Sequence, residues 1–339
     1  MPPPRRLEQL QTPALIIDAG RLDANLSTMA DHLPADRLRP HVKAHKCTEL
    51  ARRQYEAGHH GFTCATIREV EGMAAAGLDD DLLLANEVLD AGRLGRLVRA
   101  GARVTVAVDS PATIEAAASG GVREVLVDVN VGLPRCGCDP DDAGPLAERA
   151  RRSGLEVRGV MGYEGHAVGI EDRETRTGKV TESMGILAAA HEAGGGPVCS
   201  GGGTGSWDLN TGANEIQAGS YALMDTAYAR LGLPFGNALT IVATVISVNR
   251  KGWAVADCGL KALGMDHGDP SMVDGYAVWY CSDEHVVFSP PEGSTLPAVG
   301  DRVGVLPAHV DPTMAYHEAA WVVEGADIID RWTIDLRGW

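Results

Sequence analysis

The chain has 339 residues, 45% of them hydrophobic, enough for a large core and a second domain. A formal net charge of −16 argues against nucleic acid and anionic membrane surfaces as partners. No window reaches the roughly 18 uninterrupted apolar residues of a membrane span, and no apolar run follows the arginines of MPPPRRLEQL (1–10), so no signal peptide is expected. TPALIID (12–18) predicts a strand and RLDANLSTMADHL (21–33) a helix. Eight further apolar runs predict strands: 38–44, 61–66, 81–86, 103–109, 124–131, 157–164, 197–203 and 215–221. Helical spacing of apolar residues recurs over 49–58, 67–77, 88–101, 145–154 and 180–195, each closing on Gly.

Eight strand–helix units in this length predict an α/β fold, a (β/α)8 TIM barrel over 20–232. An open doubly wound sheet is the competing architecture, weakened because no GxGxxG follows the first strand. After about 235 the texture becomes close-set β runs, 238–248, 252–259, 275–282, 284–290 and 301–309, broken by Gly and Pro. These predict a C-terminal all-β domain, 1–19 plus 233–339, which the isolated first strand joins. Seven scattered cysteines without a CxxC pair fit a reducing cytoplasm better than a disulfide framework.

In such a barrel, functional side chains sit where strands run out. The first strand ends HVKAHK, placing Lys43 at its end with His45 and Lys46 beyond. Lys43 either pairs with a nearby carboxylate or has a pKa depressed enough to form a Schiff base. DVNVGLPRCG (128–137) presents Arg135, otherwise a surface loop arginine, and GYEGH (162–166) delivers Tyr163 and His166, an acid/base candidate although a lone His is more often structural. SGGGTGS (200–206), with Ser200, Gly202, Gly203 and Thr204, makes a nest for a phosphate. QAGSY (217–221) adds Gln217, Gly219, Ser220 and Tyr221 on the next strand. In PAHVDPT (307–313), an extended strand would put His309 and Asp311 on one face, where both could grip a cation, although His-x-Asp is a common pattern.

Together with ATIREVEGMAAAG (65–77), DCGLKALG (257–264) and DEH (283–285), these segments resemble the D-threonine aldolase and eukaryotic-type D-serine dehydratase family. The resemblance runs over nearly the whole length and implies a fold-type III pyridoxal-phosphate enzyme of the alanine racemase superfamily. It makes Lys43 the Schiff-base lysine and Lys46 its neighbour, and Arg135 the contact to the phenolic oxygen of pyridoxal 5'-phosphate. Gly202, Gly203, Thr204, Gly219 and Ser220, with Ser200 and Tyr221, fall in the phosphate turns; Gln217 and Tyr163 flank the ring. His309 and Asp311 match a divalent-metal pair for Mn2+, Zn2+, Mg2+ or Co2+. The family's dehydratases resemble His-x-Cys and its aldolases His-x-Asp, so Asp311 favours carbon–carbon cleavage. The expectation is a lyase that cleaves a D-3-hydroxy amino acid, a small-molecule substrate, to glycine and an aldehyde. Lys43, His166 and Tyr163 would be catalytic, with His166 taking the hydroxyl proton. A D-serine or 3-hydroxyaspartate dehydratase, a racemase and a non-catalytic cofactor carrier are the rivals; the separate β domain argues against the carrier. A homodimer is expected, with each β domain near the partner's barrel mouth. The loop after GYEGH is short, which leaves the substrate side chain the least defined feature.

Overall fold

A computed structural model describes residues 3–339; residues 1 and 2, part of the stretch read as lacking a signal peptide and of the expected β domain, lie outside the described residues. Strand β1 (Ala14–Asp18) and helix α1 (Ala19–His32) open the chain as the apolar pattern predicts. The chain then folds as two compact units. One comprises Met29–Lys43, Leu50–Gly219 and Leu336–Trp339; the other comprises the segment up to Thr28, Ala44–Glu49 and Ser220–Asp335.

The first unit is a parallel barrel. Helix α2 (Thr48–Glu56) leads to strand β2 (Gly61–Cys64), followed in turn by α3 (Ile67–Ala75), β3 (Asp81–Leu84), α4 (Gly92–Ala100) and β4 (Val104–Val108). Then come α5 (Pro111–Gly120), β5 (Glu124–Asp128), α6 (Ala143–Arg152), β6 (Glu156–Gly162), α7 (Arg173–Gly194), β7 (Val198–Gly201) and β8 (Glu215–Ile216). Among the described residues these seven strands pair in sequence order, β2 to β8. The eighth position departs from the predicted strand 38–44. The Arg39 N–H donates to Ile216 O (2.9 Å) and the His41 N–H to Ala218 O (3.1 Å), while Thr63 N–H donates to Pro40 O (2.9 Å). Residues 38–41 thus close β8 to β2 through isolated bridges. Pro40 has no N–H to extend the ladder, and the chain turns at once into a 3-10 turn, Val42–Ala44, that carries Lys43.

Inside this unit Leu83, Ala107, Leu126 and Met161, one from each of β3 to β6, pack as a buried apolar cluster. At the strands' N-terminal ends the residues are charged. Asp81 accepts from Arg158 (2.7 Å) and Arg39 (2.9 Å), Arg39 lies 2.8 Å from Glu215, and Arg103 Nε donates to Glu124 (3.0 Å). Burial pushes this carboxyl up, but the hydrogen bonds and charges of Arg158 and Arg39 together outweigh it and hold Asp81 far below the usual carboxylate range. Polar residues at this end are a stability feature; function belongs at the other. Helix α5 has no counterpart in the sequence reading, because PATIEAAASG is small and apolar on most sides. It touches α4 closely: a Cβ on Gly95 would lie 1.9 Å from Gly120 O.

The second unit is mostly antiparallel. Short helix α8 (Thr226–Ala229) precedes β9 (Leu239–Asn249), β10 (Trp253–Ala256), β11 (Ser271–Met272), β12 (Ala277–Cys281), β13 (Val286–Ser289) and β14 (Arg302–Leu306). Helix α9 (Val310–Tyr316), β15 (Ala319–Glu324) and β16 (Asp327–Thr333) complete it. Among the described residues, β1 joins these strands in a nine-stranded sheet of order β12-β13-β10-β9-β1-β15-β16, with β14 on β9 and β11 on β14. Leu10, Ala14, Ile16, Val242 and Val323 form its apolar cluster. Helix α9 replaces the extended run expected at 307–313: Pro312 falls in its first turn, where a missing N–H breaks no helical bond. No helix of the described residues is long and apolar enough to cross a membrane.

Candidate active site

In the barrel unit, the candidate residues follow the C-terminal ends of successive strands. Arg135 comes from the loop after β5, Tyr163, Glu164 and His166 from that after β6, and residues 202–206 from that after β7. Lys43, half-buried, stands two residues beyond the bridge at His41. The Arg135 guanidinium carbon is 5.5 Å from the centroid of the Tyr163 ring. On the same ring, a Cβ added to Gly203 would lie 3.2 Å from Cε2. His166 packs on the β5 loop, where a Cβ on Gly132 would meet its Cε1 at 2.7 Å. The three loops therefore meet around Tyr163 and His166.

The glycine turn is shaped from behind by a residue the sequence reading passed over. Glu164 is fully buried. Its carboxylate accepts from Gly202 N–H (3.1 Å), Ser206 Oγ–H (2.7 Å) and Asn210 Nδ2–H (3.1 Å). Three donors compensate a buried carboxylate that would otherwise be costly. The Gly203 N–H in turn donates to Ser206 Oγ (3.1 Å). Both N–H groups thus serve the turn itself, and what Gly202 and Gly203 offer a ligand is the absence of a side chain: a Cβ on Gly202 would lie 3.2 Å from Ile216. Thr204 is buried beside them. Ser200 donates to Glu215 (2.7 Å) and accepts from Gln217 Nε2 (2.9 Å), a buried chain that fixes Gln217. Gly219 ends this unit's last barrel segment. Ser220 and Tyr221 lie in the other unit, on a 3-10 turn (Ser220–Ala222), with Tyr221 fully buried against Phe235 at 5.6 Å.

A carboxyl pair also lies at this end, outside the sequence reading. Burial, followed by the charge and hydrogen bond of Glu87, pushes Asp128 well above the ordinary carboxylate value, and Arg135 offsets this only partly. A hydrogen bond to Glu87, aided by burial, raises the neighbouring Cys136 thiol to about 11.

A lysine amine, a guanidinium beside a phenol and a fixed amide are donors that suit a phosphorylated aromatic aldehyde, and the small-residue turn allows its close approach. Gly202 and Gly203 put no side chain in the way of such a phosphate. These residues fit pyridoxal 5'-phosphate.

In the other unit, His309 stands as the N-cap residue of α9 and Asp311 in its first turn. The His309 Nε2 lies 3.5 Å from Asp311 Oδ2, so a cap and a helical turn achieve the proximity expected of a strand. Two donors on one divalent ion at about 2.1–2.2 Å lie roughly 3.0–3.5 Å apart, so the pair fits a metal. The opposite nitrogen, Nδ1, is 2.7 Å from Asp266 Oδ2, and the His267 ring stacks on His309 at 3.8 Å and 13°. Burial pulls the His309 imidazole down, but hydrogen bonds and charges of Asp311 and Asp266 hold it above its ordinary value. Asp225, almost fully buried, accepts from the N–H groups of Val310 (3.0 Å) and Tyr228 (2.9 Å) and so fixes the start of α9. Asp266 and His267 lie in a loop without periodicity, which is why the sequence reading lacks them.

Comparison with known proteins matches the family described as "Alanine racemase, N-terminal domain" over residues 17–240 and that described as "Putative serine dehydratase domain" over 238–323. A D-threonine aldolase of Arthrobacter sp. is 34% identical over 100% of this chain and 97% of its own. A 3-hydroxy-D-aspartate aldolase of Paracoccus denitrificans is 34% identical, covering 97% of this chain and 93% of the relative. The crystal structure of a D-threonine aldolase from Filomicrobium marinum superposes with a TM-score of 0.93 at 34% identity, over 100% of this chain and 99% of that one. With the barrel, the β unit and both groups of site residues in place, the chain belongs to the D-threonine aldolase and eukaryotic-type D-serine dehydratase family of the alanine racemase superfamily.

Proposed function

We propose that this chain is a lyase that cleaves D-3-hydroxy amino acids by a retro-aldol reaction, releasing glycine and an aldehyde. The observation that carries the reading is the donor pair His309 and Asp311, 3.5 Å apart, in a chain whose barrel fits pyridoxal phosphate. The names of the aldolases at 34% identity support it.

When bound, pyridoxal phosphate supplies an electron sink for the pair released from the broken Cα–Cβ bond, and a divalent ion supplies a Lewis acid toward the β-hydroxyl. Lys43 would contribute the amine that anchors the cofactor. Arg135, its charge beside Tyr163, would face the phenolic oxygen and favour its anionic form. Glu164 keeps the glycine turn in register for the phosphate, and Gln217, fixed through Ser200, flanks the ring. His166 accepts the β-hydroxyl proton at a ring nitrogen, which lets the electrons of that O–H bond become the carbonyl of the aldehyde. His309 and Asp311 hold Mn2+, Zn2+, Mg2+ or Co2+. A homodimer in a reducing cytoplasm completes the reading; Cys136, Cys138, Cys199, Cys258 and Cys281 are thiols, which suits that compartment.

Product analysis with a panel of D-3-hydroxy amino acids and Mn2+ tests it. Glycine with an aldehyde is the expected outcome. Ammonia with a keto acid would overturn it in favour of elimination, loss of optical rotation without cleavage in favour of racemisation, and binding without turnover in favour of a carrier. Lys43→Ala should abolish the visible absorbance gained on adding pyridoxal phosphate. EDTA should remove activity, and added Mn2+ should restore it.

A further inference from the structure

We propose that Asp266 is a positioning residue for the metal pair: its carboxylate takes the Nδ1–H of His309 and so presents Nε2, on the Asp311 side, as the metal-binding atom. This rests on the metal reading above.

The arrangement is built into the backbone. Gly264 bridges His309 in antiparallel fashion. Its N–H donates to Thr313 Oγ1 (2.9 Å), and that hydroxyl donates to His309 O (2.7 Å). Only glycine permits this approach, since a Cβ would stand 2.3 Å from Pro312 Cγ and 2.9 Å from His309 O. The loop between β10 and β11 is thereby clamped on the first turn of α9, and two residues on Asp266 meets Nδ1 at 2.7 Å. A neutral imidazole has one N–H. With that proton held on Nδ1 by a carboxylate, the lone pair is left on Nε2, 3.5 Å from Asp311 Oδ2.

A different arrangement is suggested by proximity alone, because Asp266, His267 and His309 offer ligand atoms within 4.8 Å of one another. The ring geometry argues against it. The two imidazoles are stacked, 3.8 Å between centroids and only 13° from parallel. A metal lies in the plane of each imidazole it binds, and two parallel planes at this spacing share no such point. His267 therefore covers the face of His309 and does not join it on the ion. Asp266 is 57% exposed, so its own ion pair adds little to folding; its effect should fall on the metal.

The test is Mn2+ binding, by calorimetry and electron paramagnetic resonance, to protein loaded with pyridoxal phosphate and stripped of metal. Asp266→Ala should weaken binding about 10–100-fold, the usual cost of losing such an outer carboxylate, with an unchanged melting temperature. Asp266→Asn should recover most of the affinity, because its amide oxygen still accepts Nδ1–H. In the Mg2+- or Zn2+-loaded protein, nitrogen NMR should find the His309 proton on Nδ1. Unchanged affinity in Asp266→Ala overturns the proposal. So does an Asn variant as weak as the Ala variant together with an equal loss in His267→Ala, since both residues would then be ligands. Intact binding in His309→Ala would instead sink the metal reading beneath it.

Discussion

Replacing Glu164 with Ala strands three buried donors at once: the Gly202 N–H, the Ser206 hydroxyl and the Asn210 amide. Each unsatisfied buried donor costs about 1–3 kcal/mol, so Glu164→Ala should lower unfolding free energy by roughly 3 kcal/mol or more. Pyridoxal phosphate affinity should fall by at least about tenfold, a loss of 1.4 kcal/mol, as the turn loses its support. Urea denaturation and an absorbance titration check the two effects separately; unchanged cofactor affinity would remove Glu164 from the site. Tyr163 and His166 were legible as a Tyr-x-x-His at a strand end, but the Glu between them reads as a surface carboxylate until its burial is known. The His309 and Asp311 pairing was legible too, although by the wrong backbone. Spacing of two residues suits one face of a strand, and here a capping residue and the next helical turn bring the two groups equally near.

Among the elements, the close contact of α4 and α5 depends on a missing side chain. Gly95→Ala puts a methyl 1.9 Å from the Gly120 carbonyl, a backbone atom with no rotamer to change. Overpacking of this kind costs about 1–3 kcal/mol, so the variant should melt several degrees lower while binding pyridoxal phosphate with ordinary affinity. Thermal unfolding and a cofactor titration decide it. Helix α5 itself was hidden because Ala, Gly and Ser give no contrast between a buried and a wet face, although Ser110 caps it and Pro111 opens it. Strand β16 escaped for a related reason, being mostly exposed and without a continuous apolar run. The long barrel strands were readable because burial on both faces leaves Val, Leu and Ile in sequence.

For the molecule as a whole, acid stability should track the charged cluster at the strands' N-terminal ends. The folded-state pKa of Asp81 is depressed, so its contribution is fully present above the unfolded carboxylate value. It is lost as pH falls below about 4 toward the folded value. Urea midpoints should therefore drop steeply in that window. Asp81→Asn should flatten the drop, and at neutral pH it should cost roughly 1–3 kcal/mol, because Arg158 and Arg39 lose their shared partner and keep only Glu124 and Glu215. A variant with wild-type acid behaviour would show that the cluster is not the determinant. This cluster could not be read from sequence, since Arg39, Asp81, Arg158 and Glu215 are far apart in the chain and converge only when the barrel closes.

Pro40 gives that closure an uneven texture. Most of the barrel wall is laced by regular ladders, but at the eighth position it is held by a few stitches around a residue that can accept one and donate none. A wall of this kind has a seam, and the seam runs past Lys43. Hydrogen exchange in the cofactor-free protein should be fastest, among barrel backbone amides, at Arg39, His41 and Thr63. Tethering a ligand to Lys43 while gripping its far end in the turn after β7 would then act as a rivet beside the seam, slowing exchange there more than anywhere else in the wall.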